Sequence, residues 1–107
     1  MIMLSELDLN YEQIEKNILK FIKESVENAG LSGAIVAVSG GIDSAVTLEL
    51  TVRALGKENV KVIHLPERDV TLEQDSLDVM LHCERLNLTC EVFDITSILH
   101  VIQQSVP

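Results

Sequence analysis

Ala34-Ile35-Val36-Ala37-Val38-Ser39-Gly40-Gly41-Ile42-Asp43-Ser44 is the stretch whose reading decides the fold. Its first five residues are short and wholly apolar, bounded by Gly33 and Ser39, the pattern of a parallel strand covered on both faces. Two glycines follow. From Ser44 to Leu55 helical spacing takes over through Ala45, Leu48 and Val52, and Gly56 ends it. A buried strand that turns through glycines into a helix opens a βαβ unit, and open parallel sheets bind ligands at that kind of turn.

The flanking sequence repeats the alternation. Upstream, Ile14, Ile18, Ile22 and Val26 recur every fourth residue with Phe21 and Ala29 beside them, which predicts a helix from Tyr11 to Ala29. Asn10 with Gln13 reads as a capping box and Gly30 as the stop. Downstream, Val60–Leu65 reads as a second buried strand closed by Pro66. Thr71 with Gln74 reads as a capping box for a third helix running to Leu86, and Thr89–Ile95 as a third strand. Ser97 reads as the cap of a last helical segment reaching Gln104. The order α-β-α-β-α-β-α predicts right-handed crossovers and an α/β fold, a Rossmann-like parallel sheet sandwich of about three strands with helices on both faces. No repeat or linker divides residues 1–107, so one domain is expected. On the third helix Val79, Cys83 and Leu86 form a core stripe. Leu77 and Leu81 form a second stripe, either a broad core contact or a surface that meets further sequence or a second subunit.

Composition excludes whole classes of function. Eight Lys and Arg stand against 17 Asp and Glu, a formal charge of -9, so the clustered cations that grip a phosphate backbone are missing. Tyr11, Phe21 and Phe93 are the only aromatics, too few for a base-stacking platform, and nucleic acid is not an expected partner. No apolar run approaches the roughly 18 residues of a membrane span. Acidic Glu6 and Asp8 stand where a secretory signal would be basic, which points to the cytoplasm. Cys83 and Cys90 form no CxxC pair and have no histidine at zinc-site spacing, so both are expected as reduced core thiols.

The loop Ser39–Ser44 carries the chemistry. Adjacent glycines remove side chains that would hold an anion off the backbone, so successive N–H groups can line a nest, and the helix dipole points there. Ser39 and Ser44 add hydroxyl donors. Asp43 repels phosphate, and a hard divalent cation bridging carboxylate and phosphate resolves that conflict. The loop is neither a GxxxxGK[ST] Walker motif nor a GxGxxG fingerprint. The alternative is a plain tight turn, which leaves both serines and the aspartate unexplained.

Ser39-Gly40-Gly41-Ile42-Asp43-Ser44 resembles the SGGxDS pyrophosphate loop of the N-type ATP pyrophosphatases, matching every fixed position. Val62-Ile63-His64-Leu65-Pro66-Glu67-Arg68-Asp69 resembles the second strand and LPxRD turn of ammonia-dependent NAD synthetases of archaeal type. Phe93-Asp94-Ile95-Thr96-Ser97-Ile98 resembles their IDITPI segment with Ser97 in place of proline. GMP synthetases and tRNA-modifying members share the loop without these later segments. The resemblance implies an adenine nucleotide alpha-hydrolase-like fold and an ATP-dependent amide ligase of NAD biosynthesis, which adenylates deamido-NAD with release of pyrophosphate and then amidates it with ammonia. It implies Ala37, Val38, Ser39, Gly40, Gly41, Ile42, Asp43 and Ser44 as ATP-binding residues, Asp43 as the Mg²⁺ ligand, and a homodimer. The chain resembles only the first part of such enzymes, so it is expected to hold the ATP loop without the remaining ligands. The alternatives are a non-catalytic nucleotide-binding module or fragment, or another ligase of the same superfamily such as a GMP synthetase-like enzyme.

Several residues depart from the family pattern or leave alternatives open. Asn87 stands where a helix-ending Gly is usual and tolerates a left-handed backbone. His82 either pairs with Asp78 at the surface, the expected reading, or has a catalytic role. His64 either packs in its strand or meets the nucleotide. Arg68 either reaches the nucleotide or pairs with Glu67 or Asp69. Glu73, Asp75 and Asp78 read as a solvated acidic helix face.

Overall fold

A computed structural model describes residues 10–106; acidic Glu6 and Asp8 and the terminal Pro107 lie outside this range. The elements are α1 (Tyr11–Asn28), β1 (Ala34–Ala37), α2 (Ile42–Leu55), a single 3-10 turn (Lys57–Asn59), β2 (Val60–His64), α3 (Glu73–Arg85), β3 (Cys90–Val92) and α4 (Thr96–Ser105). The strands form one parallel sheet in the order β1-β2-β3, with Val36 opposite Val62 and Val62 opposite Cys90. The expected α/β alternation and its order are therefore present.

Helix ends follow from local chemistry. Asn10 accepts the Gln13 amide at 3.1 Å, as an N-cap should, but the Gln13 side chain bonds Asn17, so only half of the capping box forms. At the far end Gly30 at φ 74° and Leu31 donate back to Glu27 and Val26, a Schellman closure. Asn87, at φ 56°, closes α3 the same way, with its amide on Glu84 and that of Leu88 on Cys83. Asparagine thus does the work of glycine there.

Two expected caps are corrected. Thr71 does not cap α3: its hydroxyl accepts the Glu67 amide and its own amide bonds the Glu67 carbonyl, closing the turn after β2. The helix begins two residues later with no side-chain cap. Ser97 does not cap α4 either; the Asp94 carboxylate accepts the Thr96 amide at 2.9 Å. Hydrogen bonds from Thr96, with Arg68 alongside, hold the Asp94 carboxyl below the usual range.

One face of the sheet makes the core. Val36, Val38, Val60 and Val62 meet Leu48 of α2 and Val79 and Cys83 of α3. The opposite face is left largely open among the described residues: Ile35 is 67% exposed, Ala37 is exposed, and Lys61 pairs with Glu91 at 3.0 Å across the neighbouring strands. Helices on both faces are thus met on one face only. Helix α1 packs on α2, joined by the Arg53–Glu15 pair at 2.6 Å. Leu77 and Leu81, at 52% and 62% exposed, do not broaden the core and lie on the surface. Cys83 and Cys90 are both free; burial, reinforced by Cys83, pushes the Cys90 thiol up to about 11. Among the described residues no helix is long and apolar enough to cross a membrane.

Because Leu48 is fully buried between sheet and α3, Leu48→Ala should cost about 2–5 kcal/mol, whereas exposed Leu81→Ala should stay within about 0.5 kcal/mol; urea unfolding of both variants measures the contrast. Both thiols should react slowly with a disulfide reagent at neutral pH and quickly once urea unfolds the chain, because the thiolate is the nucleophile and burial disfavours it.

Candidate functional site

The loop between β1 and α2 is held on both sides. The amide of Val38 bonds the Ile63 carbonyl at 2.9 Å, extending the ladder one residue past β1. Next, the Ser39 amide donates to the Ser44 hydroxyl at 3.0 Å, the two serine hydroxyls lie 3.2 Å apart, and the Gly41 amide reaches the Ser39 hydroxyl at 3.3 Å. Ser44 also donates to the Gly41 carbonyl at 3.2 Å. The residues expected from SGGxDS are therefore brought together, with the hydroxyls facing one another across the turn.

Helix α2 starts at Ile42, two residues before the expected Ser44, with Gly41 as N-cap and no side-chain cap. The amides of Ile42, Asp43 and Ser44 are its first-turn donors, which no intrahelical carbonyl satisfies. Asp43 lies in that first turn, exposed, and its carboxylate makes no hydrogen bond or ion pair among the described residues. Neutral donors, two hydroxyls and one unengaged carboxylate converge on one exposed spot. Such a set fits an anion together with a hard cation, and magnesium is commonly held by one or two carboxylates plus substrate phosphates.

The two glycines have different reasons. Gly40 has φ 91°, and a Cβ there would lie 2.6 Å from the Asp75 carbonyl oxygen, so the fold itself requires glycine. Gly41 has φ -83°, and its Cβ would meet only the Ser39 hydroxyl at 3.4 Å, an ordinary contact. Nothing in the fold forbids alanine at Gly41.

The other loop residues divide by exposure. Ala37 and Ile42 are exposed beside the turn. Val38 is buried; its amide goes to Ile63 and its carbonyl accepts from the His64 imidazole at 2.7 Å, so its groups are engaged within the fold. His64 is itself only 2% exposed and its other nitrogen meets the Ser76 hydroxyl at 2.9 Å, which makes it a packed strand histidine. Sequence reasoning missed Asp75 and Ser76 of α3 as neighbours of the loop, since nothing in the spacing links position 40 to 75 or 64 to 76.

Beside the loop, a cleft of about 360 Å³ runs between α2 and α3, from Gly40, Gly41 and Ile42 past Val46 to Glu49 and His82. His82 does not pair with Asp78, which accepts from Gln74. It bonds Glu49 at 2.9 Å, on the same carboxylate oxygen that Arg85 holds at 2.9 Å. The His82 hydrogen bond, with Arg85 adding to it, holds the Glu49 carboxyl below its ordinary value against the opposing pull of burial. Arg68 pairs with Asp94 at 3.2 Å and with neither Glu67 nor Asp69. Glu67, Asp69 and His100 instead gather within 4.8 Å, with His100 and Asp69 3.7 Å apart on the surface.

Comparison with known proteins follows the same lines. The family profile described as NAD synthase matches residues 14–107. The NH(3)-dependent NAD(+) synthetase of Methanosarcina acetivorans is 39% identical over 99 residues, covering 92% of this chain and 39% of that protein. The NH3-dependent NAD synthetase of Campylobacter jejuni, solved with nitrate, superposes with a TM-score of 0.82 at 33% identity, over 92% of this chain and 42% of that one. A glutamine-dependent NAD+ synthetase from Acinetobacter baumannii, solved with adenosine diphosphate, gives 0.84 at 30% identity, over 92% of this chain and 18% of that one. The chain thus spans about two fifths of the length of these two ammonia-dependent relatives.

Two outcomes test this geometry. Gly40→Ala should destabilise by more than about 2 kcal/mol through its left-handed backbone and its collision with α3, while Gly41→Ala should unfold at the wild-type midpoint. Glu49 has a lowered carboxyl value, so its contribution to stability is present above the ordinary value of 4.5 and is lost as pH falls through the lowered one. The stability gap between wild type and Glu49→Gln should therefore be constant just above pH 4.5 and close below it, as read by urea titrations across pH.

Proposed function

The chain belongs to the NAD synthase family, and from that membership we propose that residues 1–107 form one ATP-binding unit of an ammonia-dependent NAD synthetase. The observation that carries the reading is the uncapped start of α2 beside the Ser39 and Ser44 hydroxyls and the unengaged Asp43 carboxylate. The adenine nucleotide named in the glutamine-dependent relative supports the ligand class.

In the reaction, an oxygen of the nicotinate carboxylate of deamido-NAD attacks the α-phosphorus of ATP and the bond to the β-phosphate bridging oxygen breaks. Ammonia then attacks the acyl carbon and AMP departs. Charge grows on the leaving pyrophosphate, and donors already aimed at that spot need no rearrangement to meet it. The amides of Ile42, Asp43 and Ser44 are those donors, and the Ser39 and Ser44 hydroxyls lie beside them, each turning its one proton from its present partner to the phosphate. Ala37 and Gly40 border the nucleotide, and Val38 supports the turn from behind. Asp43 would hold magnesium, which would supply neutralisation of that charge. Localisation in the cytoplasm and a homodimer complete the proposal, with the exposed Leu77/Leu81 stripe and α1 as the surfaces for a second copy.

A specific observation favours the reading of a nucleotide-binding module without turnover. Arg53 and Arg85, the arginines lining the cleft, pair with Glu15 and Glu49, so part of their charge is already offset before a triphosphate arrives. A pyrophosphate-release assay of this chain with ATP, Mg²⁺, deamido-NAD and ammonia separates the two, since turnover belongs to the ligase alone. Substituting xanthosine monophosphate tests for a GMP synthetase-like activity. Titration calorimetry with MgATP tests the premise common to all: Asp43→Ala and Gly41→Val should each weaken binding at least about tenfold, and unchanged affinity in both would refute the loop assignment.

A further inference from the structure

We propose that His64, braced by Ser76, is a positioning residue for the Ser39–Ser44 loop, setting its hydroxyls for the phosphates of ATP; this rests on the ATP reading above. A carbonyl only accepts, so the His64 nitrogen 2.7 Å from the Val38 oxygen is the protonated Nδ1. In the neutral ring Nε2 then has no hydrogen and accepts from the Ser76 hydroxyl at 2.9 Å. The ring is 2% exposed, and no buried side-chain polar atom among the described residues is left without a partner.

The consequence for the loop follows from peptide geometry. The Val38 carbonyl and the Ser39 amide belong to one planar trans unit, so they point in opposite directions. Drawing the oxygen toward His64 aims the Ser39 N–H the other way, at the Ser44 hydroxyl 3.0 Å away. Ser44 in turn sits 3.2 Å from the Ser39 hydroxyl, which receives the Gly41 amide. A single imidazole thus sets the plane from which the serine network is built. Its far nitrogen ties that plane to the first turn of α3, where Asp75 presses on Gly40. His64 touches no exposed surface of the loop, so its effect on ATP is indirect, through the Val38–Ser39 peptide.

The isosteric pair His64→Asn and His64→Gln tests this. Asparagine places an amide N–H near Nδ1 and keeps the Val38 bond while losing Ser76; glutamine reaches toward Nε2 and keeps Ser76 while losing Val38. MgATP affinity by calorimetry should fall about tenfold in His64→Gln and stay within about threefold in His64→Asn, with urea midpoints shifted alike in both. The Ser39 amide resonance should move in His64→Gln only. Equal affinities in the two folded variants, or a larger loss in His64→Asn, would overturn the proposal, because a merely packed histidine predicts no such ordering. If neither variant folds, Ser76→Ala decides: a weakening of MgATP binding with the wild-type midpoint retained supports the brace, and unchanged affinity overturns it. If wild type binds no MgATP, the ATP reading falls and this proposal with it. If Asp43→Ala and Gly41→Val abolish binding while His64→Gln matches wild type, only the role of His64 fails.

Discussion

The close approach of Gly40 to the first turn of α3 is the constraint on which the rest of the site depends. With β2 beside β1 and parallel to it, the chain must cross back over the sheet after each strand, and α3 arrives with Asp75 against the loop that follows β1. The backbone at Gly40 has φ 91° and no room for a Cβ, so conformation and packing demand the same residue. The other end of the contact is His64, which joins the Val38 carbonyl to Ser76 one residue along α3. The loop is shaped as much by a helix more than thirty residues away as by its own glycines.

Electrostatics explains why such shaping matters here. A chain with formal charge -9 repels a polyanion at long range. Each arginine faces a carboxylate that offsets part of its charge: Arg53 meets Glu15, Arg85 meets Glu49 and Arg68 meets Asp94. What the loop presents are amides and hydroxyls, whose attraction for phosphate depends on direction, unlike that of a flexible lysine. Neutral donors bind an anion well only when several are aimed together beforehand.

The small core sets the conditions under which the site works. Among the described residues seven apolar side chains are buried, all on one face of the three-stranded sheet, while Ile35 on the other face and the Leu77/Leu81 stripe remain in solvent. Stability in so small a core rests on few contacts. Two of those core residues, Val38 and Val79, also line the cleft beside the loop, so stability and site geometry are coupled. A change at either position acts on both.

Much was legible from local pattern. The apolar run at Ala34–Val38, the helical spacing after it, and the caps at Asn10, Gly30 and Asn87 each depend on residues within one or two turns, and each is present. The SGGxDS loop was legible for the same reason, since its hydroxyl and amide contacts span at most five residues. Thr71 and Ser97 do not cap because short polar side chains satisfy whichever backbone donor comes nearest, and other contacts decided which: Thr71 closed its own turn and Asp94 took the start of α4. His82 found Glu49, 33 residues away, where helical spacing pointed to Asp78. The sequence by itself determined the order of elements and the hydrogen-bonding groups that the loop brings together, because periodicity and short-range hydrogen bonding are local. Only the tertiary structure decided which glycine the fold needs, which partner each charged side chain takes and what holds the loop, because those depend on α3 crossing back to β1 through space.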